Sequence, residues 1–146
     1  MRSVLLLLAA ALALTACGSR GDAAHNGPAE NRYVAGDGTS QVFQPGDRSA
    51  APAVIGTLLD GGSFDLEQHR DHVVVINYWA SWCAPCRLEA PELEQVYGKT
   101  KADGVVFVGV NIRDEKDKAL AYEESFSVSY PSLFDPAGRI ALKFRE

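Results

Sequence analysis

The sequence predicts an α/β protein built as a layered sandwich. Two continuous β-prone runs carry the prediction: Val73-Val74-Val75-Ile76-Asn77-Tyr78-Trp79 and Val105-Val106-Phe107-Val108-Gly109-Val110. Runs of that kind suit strands covered on both faces, as in a parallel sheet. Each is followed by a helical stretch, and the resulting order of strand, helix, strand, helix, strand is that of a layered α/β domain. With 146 residues, 47% hydrophobic and 23% charged, the chain has room for one modest core and the composition of a globular protein.

The N-terminal segment reads differently. After Met1-Arg2-Ser3 comes the apolar run Val4 to Leu14, too short for a mature transmembrane helix and suited to a signal-peptide core. Leu14-Thr15-Ala16-Cys17 resembles a bacterial lipobox, in which the Cys becomes the acylated first residue of the mature protein. The competing reading is ordinary secretion with an unpaired thiol at Cys17. Several acyl chains on one Cys supply the membrane affinity that a single chain cannot. Residues 1–16 are therefore expected to be a lipoprotein signal peptide and 17–51 a flexible membrane tether, rich in Gly, Ala, Asp, Asn and Ser. Tyr33-Val34 and Gln41-Val42-Phe43 read as short extended pieces, and His25 as a tether residue rather than a ligand. The formal charge of -5 becomes -6 once the segment holding Arg2 is removed, and no basic block compensates, which argues against nucleic acid as a partner.

The domain is expected to occupy residues 52–146. Val54 to Leu59 and Ser63 to Leu66 read as two short strands around a turn at Gly61-Gly62. After the first long strand a helix runs from Cys83 to about Thr100 and ends near Asp103-Gly104. After the second long strand another runs from Asp114, a plausible N-cap, to about Phe126. A third strand, Tyr130 to Phe134, leads through Asp135-Pro136-Ala137-Gly138 into a last extended stretch from Arg139.

The chemistry sits where the first long strand meets the first helix, at Trp79-Ala80-Ser81-Trp82-Cys83-Ala84-Pro85-Cys86-Arg87. Two Cys separated by two residues at a helix start place both sulfurs on one side of the first turn, able to close a disulfide or open to a dithiol. Cys83, the first, takes the exposed position, where free backbone N–H groups and the helix dipole stabilise its thiolate and make it the nucleophile. Cys86 is then the resolving thiol. Pro85 fits because the first helical turn does not need its missing N–H. A zinc or copper site is the alternative use of a CxxC, but there is no second CxxC, and His69 and His72 read as loop residues. A peroxidase is disfavoured because no Thr or Ser precedes a lone nucleophilic Cys. No metal and no cofactor is predicted.

The block Asn77 to Pro91 resembles the active site of TlpA/ResA-type thioredoxin-like proteins. The resemblance extends over about residues 46–146, through Gly46-Asp47-Arg48, Val110-Asn111-Ile112-Arg113-Asp114 and Tyr130-Pro131-Ser132-Leu133-Phe134-Asp135. It implies a thioredoxin-like fold with a mixed central sheet flanked by helices. It also implies an extracytoplasmic thiol-disulfide oxidoreductase, held at the cell membrane by its lipid anchor within the envelope. The implied partners are exported protein thiols and disulfides, with apocytochrome c among the candidates, and a membrane thiol-disulfide electron donor.

At about 100° per residue Cys86, Ala90, Leu93, Val96 and Tyr97 share an apolar helix face and Glu89 points into it, while Arg87, Glu92, Glu94 and Gln95 point away. A carboxyl there should have its pKa raised by desolvation and exchange protons with the Cys pair, unless it snorkels to the rim. The resemblance supports Glu89, since a Glu three residues after the second Cys recurs in the ResA-like group, and Asn77 stands where thioredoxins place a buried Asp. Pro91 is expected to kink the helix. Trp79 is expected to close the strand and Trp82 to shelter the disulfide from water.

The family pattern continues into a cis-Pro loop, an antiparallel hairpin and a terminal helix, which this sequence lacks before Glu146. Pro131 reads as a strand-start Pro rather than the cis-Pro residue. The expectation is an incomplete domain with an exposed sheet edge and an uncovered apolar face. Three readings of function remain: a dithiol oxidoreductase, a CxxC metal carrier, and a truncated product with the motif but no competent fold.

Overall fold

Alternation along the two long runs decides how the sheet is covered. In the computed structural model, which describes residues 40–144, these runs become β3 (Val74–Trp79) and β4 (Val106–Ile112), paired in parallel from Val74↔Val106 to Trp79↔Asn111. The proposed signal peptide, Cys17, His25 and Tyr33-Val34 lie outside the described residues. A third strand, β5 (Ser132–Asp135), joins β4 in parallel from Gly109↔Ser132 to Ile112↔Asp135, giving the order β3-β4-β5. The crossovers are the helices α1 (Ala84–Thr100) and α2 (Lys116–Phe126).

Successive strand residues point to opposite faces, so Val74, Ile76 and Tyr78 share one face with Val106, Val108, Val110 and Leu133. That face is covered by the antiparallel hairpin β1 (Ile55–Thr57) and β2 (Ser63–Asp65), through Val54 and Phe64, and by Ile140. The hairpin turn is closed by Gly61 at φ 95° and by the Asp60 carboxylate, which accepts from the Gly62 amide at 2.8 Å. The chain leaving β1 also attaches to the outer side of β5, where Leu58 and Leu133 form an antiparallel bridge and the Leu59 amide donates to the Ser132 carbonyl at 2.8 Å. With this bridge the sheet is mixed, as expected, although its three strands all run parallel. Among the described residues no strand pairs with the other edge of β3.

On the opposite face Trp79 packs with Ala90 of α1 and with Ala119 and Tyr122 of α2. Gly109 lies beneath them because nothing larger fits: a Cβ there would stand 2.4 Å from the Ser132 hydroxyl and 2.7 Å from the Trp79 indole nitrogen. Gly56 is a second close approach, its hypothetical Cβ 2.7 Å from a Leu133 methyl.

Several expectations need correction. The stretch from Arg139 is not extended but a short helix, α3 (Arg139–Lys143), because the Asp135 carboxylate accepts from the amides of Arg139 and Ile140 at 2.9 and 2.7 Å and so caps its start. α2 begins after Glu115 rather than at Asp114, whose carboxylate is drawn elsewhere. α1 runs through Pro91. Its inward stripe is Cys86, Ala90, Leu93 and Tyr97, spaced by four, three and four residues, with Ala90 buried and the others half-buried, so that Glu89 falls about 70° off its centre and is exposed. Val96 is also exposed, and Glu94, expected to point away, instead accepts from the amide and hydroxyl of Ser129. Burial pushes up the Glu123 carboxyl of α2, with the Asp60 charge adding to the effect. Tyr130-Pro131 precedes β5, and no cis peptide bond occurs among the described residues.

Candidate redox site

β3 ends at Trp79 and α1 begins at Ala84, so the four-residue loop Ala80-Ser81-Trp82-Cys83 delivers the Cys pair to the sheet's C-terminal edge. Cys83 is the N-cap of α1, in extended conformation at φ -80° and ψ 105°. Its Sγ accepts from the Cys86 amide at 3.3 Å, one of the donors a helix start leaves without an intrahelical partner. Cys83 and Cys86 are joined in a disulfide with their Cα atoms 5.3 Å apart, the pairing the spacing predicts. Pro85 occupies the first turn, as expected.

Exposure runs against expectation: Cys83 is only 5% exposed in this oxidised state, whereas Cys86 is partly exposed. The reason is the loop, in which Ala80 and Ser81 are also buried and fold against the helix start. Trp79 is buried and stacks on Tyr122 with centroids 4.4 Å apart. Trp82, expected to shelter the disulfide, is instead 46% exposed, and its indole N–H donates to the Arg113 carbonyl at 3.0 Å.

Three groups hold this loop and helix start, and their roles were not read from the sequence. Asp114 accepts from the Ser81 amide at 2.5 Å, the Ser81 hydroxyl at 2.7 Å, the Asn111 side-chain amide at 2.9 Å and the Glu115 amide at 2.9 Å. Burial pushes the Asp114 carboxyl up, but these hydrogen bonds together outweigh it and hold the group below its usual range. Arg87 donates from Nε and Nη2 to the Ser81 carbonyl at 3.0 and 2.9 Å. Tyr122 donates its hydroxyl to the Cys86 carbonyl at 2.8 Å, and burial pushes its pKa up to about 12, keeping the donor proton in place. Only an Asp, Arg or Tyr near a helix end was visible in sequence, and many surface residues share that description. A groove of about 420 Å³, lined by neither Cys, opens between Trp82 and Arg87 on one side and Lys118 and Phe126 on the other.

A three-stranded parallel sheet with both crossover helices on one face, and a closed disulfide at the helix N-terminus that follows its first strand, define a thioredoxin-like fold with a candidate redox pair. Over residues 48–145 the chain matches the AhpC/TSA family, to which it belongs. It is 32% identical over 87 residues to the thiol-disulfide oxidoreductase ResA of Geobacillus kaustophilus, covering 60% of this chain and 50% of that protein. It is 35% identical over 79 residues to the thiol:disulfide interchange protein HelX of Rhodobacter capsulatus, covering 53% and 43%. The chain thus spans about half the length of the curated relatives it matches. Among solved structures, a secreted thiol-disulfide isomerase from Corynebacterium glutamicum superposes with a TM-score of 0.69 at 29% identity, covering 78% of this chain and 72% of that one. The resemblance to ResA-type proteins and the thioredoxin-like fold are as the motif predicts.

Proposed function

We propose that the chain is a thiol-disulfide oxidoreductase that reduces disulfides of exported proteins through Cys83 and Cys86. The observation that carries this reading is the disulfide closed at the α1 N-terminus, with the Cys83 sulfur accepting from the Cys86 amide. In the dithiol form the Cys83 thiolate attacks one sulfur of a substrate disulfide, forming a mixed disulfide and releasing the other substrate sulfur as a thiolate. The Cys86 thiolate then attacks the Cys83 Sγ, closing the Cys83–Cys86 bond and releasing the second substrate thiol. Two electrons pass to the substrate, and a membrane dithiol donor restores the pair. The haem-binding Cys pair of an apocytochrome c is a substrate of suitable chemistry.

The test is stoichiometric exchange between the reduced protein and a disulfide-bonded peptide, read by mass spectrometry. Loss of two hydrogens from the protein and their gain by the peptide are expected. A peptide disulfide that survives equimolar reduced protein would overturn the reading.

The place of action proposed here is the outer face of the cell membrane, with Cys17 as the lipidated residue. Its support is the apolar run Val4 to Leu14 ending in Leu14-Thr15-Ala16-Cys17; among the described residues no helix is long and apolar enough to cross a membrane. Cys17→Ala is expected to move the protein out of the membrane fraction. A mature wild-type chain whose Cys17 carries no lipid by mass spectrometry refutes the anchor.

A further inference from the structure

The loop before Cys83 is held from two sides by opposite charges. Every polar group of Ser81 is engaged, its amide and hydroxyl by the Asp114 carboxylate and its carbonyl by the Arg87 guanidinium. Ser81 is itself only 7% exposed, while Asp114 is half-buried and Arg87 exposed, so these bonds are partly shielded from solvent. Asp114 reaches Ser81 because the chain turns sharply at the end of β4: Arg113 adopts the left-handed region at φ 51°, which an Arg enters only when surrounding contacts compensate. The same turn aims the Arg113 carbonyl at the Trp82 indole, so the β4–α2 junction grips two consecutive residues of the loop. Asn111, fully buried at the end of β4, donates to the same carboxylate and fixes its orientation.

We propose that Asp114 is a positioning residue for Cys83, acting through Ser81 to seat the Cys83 sulfur against the free amides of the α1 N-terminus. The proposal rests on the dithiol reading of the site and concerns how the thiolate is stabilised there. The geometry at stake is the bond from the Cys86 amide to the Cys83 Sγ. Cys83 lies two residues beyond Ser81, and its own amide donates to the Ala80 carbonyl at 3.1 Å, so a shift of Ser81 is transmitted directly to the N-cap. The charged groups around the loop are Arg87 on α1 and Arg113, Glu115 and Lys118 on the β4–α2 segment, with Lys118 paired to Glu115. The Asp114 carboxyl is held below its usual range, so the stability its charged form contributes is complete above the unfolded value of about 3.9 and is lost as pH falls through the depressed value. The clamp is therefore intact throughout the mildly acidic to alkaline range in which alkylation is measured.

The experiment measures iodoacetamide alkylation of Cys83 in the reduced full chain against pH, by peptide mass spectrometry, for wild type, Asp114→Ala, Asp114→Asn and Ser81→Ala. Asp114→Ala is expected to slow alkylation at about pH 5 by about threefold to tenfold, the scale of a weakened hydrogen bond to the thiolate. The rate at high pH, where the thiol is ionised regardless, stays unchanged. Asp114→Asn keeps one acceptor oxygen and gives an intermediate shift, and Ser81→Ala, which keeps the amide bond, the smallest. A folded Asp114→Ala protein with the wild-type profile, or a profile moved to lower pH, overturns the proposal. If Asp114→Ala does not fold, the other two variants decide, and wild-type profiles in both overturn it. Alkylation needs no partner protein, so a chain inert toward disulfides still tests Asp114 while failing the function reading separately.

Discussion

Cys86→Ser is expected to yield a protein that captures substrate and does not release it, and Cys83→Ser one that captures nothing; neither should turn over. The asymmetry follows from where the stabilising donors lie. The Cys86 amide and the positive end of α1 act on the Cys83 sulfur. The carbonyl of Cys86 is occupied by Tyr122, which fixes the second Cys within the helix rather than in front of it. Cys83 is the more buried of the two while the disulfide is closed, so accessibility in the oxidised state does not favour it. Attack, however, is made by the dithiol form, in which thiolate fraction governs rate. Mixed disulfides recovered on non-reducing gels from Cys86→Ser and not from Cys83→Ser are the expected result, together with faster alkylation of Cys83 in the mildly acidic range. Equal trapping by both variants, or trapping through Cys86 alone, would reverse the assignment of roles.

The second large effect is on stability. Leu133→Ala is expected to cost roughly 2–5 kcal/mol, the range for a buried Leu whose surroundings relax only partly. Leu133 is 1% exposed, pairs with Val110 across the sheet, bridges to Leu58 and fills the space beside Gly56. It therefore joins the parallel sheet to the hairpin, and no neighbour can collapse into its place without moving one of the two. Against a total of about 5–15 kcal/mol for a domain, that loss is a large share. Urea denaturation of the oxidised protein measures it, with Leu88→Ala as the control: Leu88 is 80% exposed on α1 and should change stability by about 0.5 kcal/mol or less. A Leu133→Ala loss no larger than that of the control would mean that the hairpin and the sheet do not share a core.

Contacts between neighbours in the chain were legible because their periods are local. Val73 to Trp79 and Val105 to Val110 carried their strands in composition alone, and Cys83 and Cys86 became a disulfide because three residues at a helix start bring two side chains together whatever the rest of the fold does. The phase of α1 was harder to read. Ala90, Leu93 and Tyr97 were placed on the correct face, but a stripe read as wide enough to include Val96 also drew in Glu89, and only the position of the sheet decides where the stripe's edge falls. The stretch from Arg139 failed for a similar reason, since its helix depends on a carboxylate four residues upstream that turns back to cap it.

Local pattern was enough to specify an α/β order of elements, with two thiols set where a strand hands over to a helix. The tertiary structure alone decided what holds those thiols. Ser81 meets Asp114 across 33 positions, and Cys86 meets Tyr122 across 36. No periodicity links such residues. They are brought together by parallel pairing of β3 with β4 and by a left-handed turn at Arg113, features set by the summed packing of both sheet faces rather than by any local pattern.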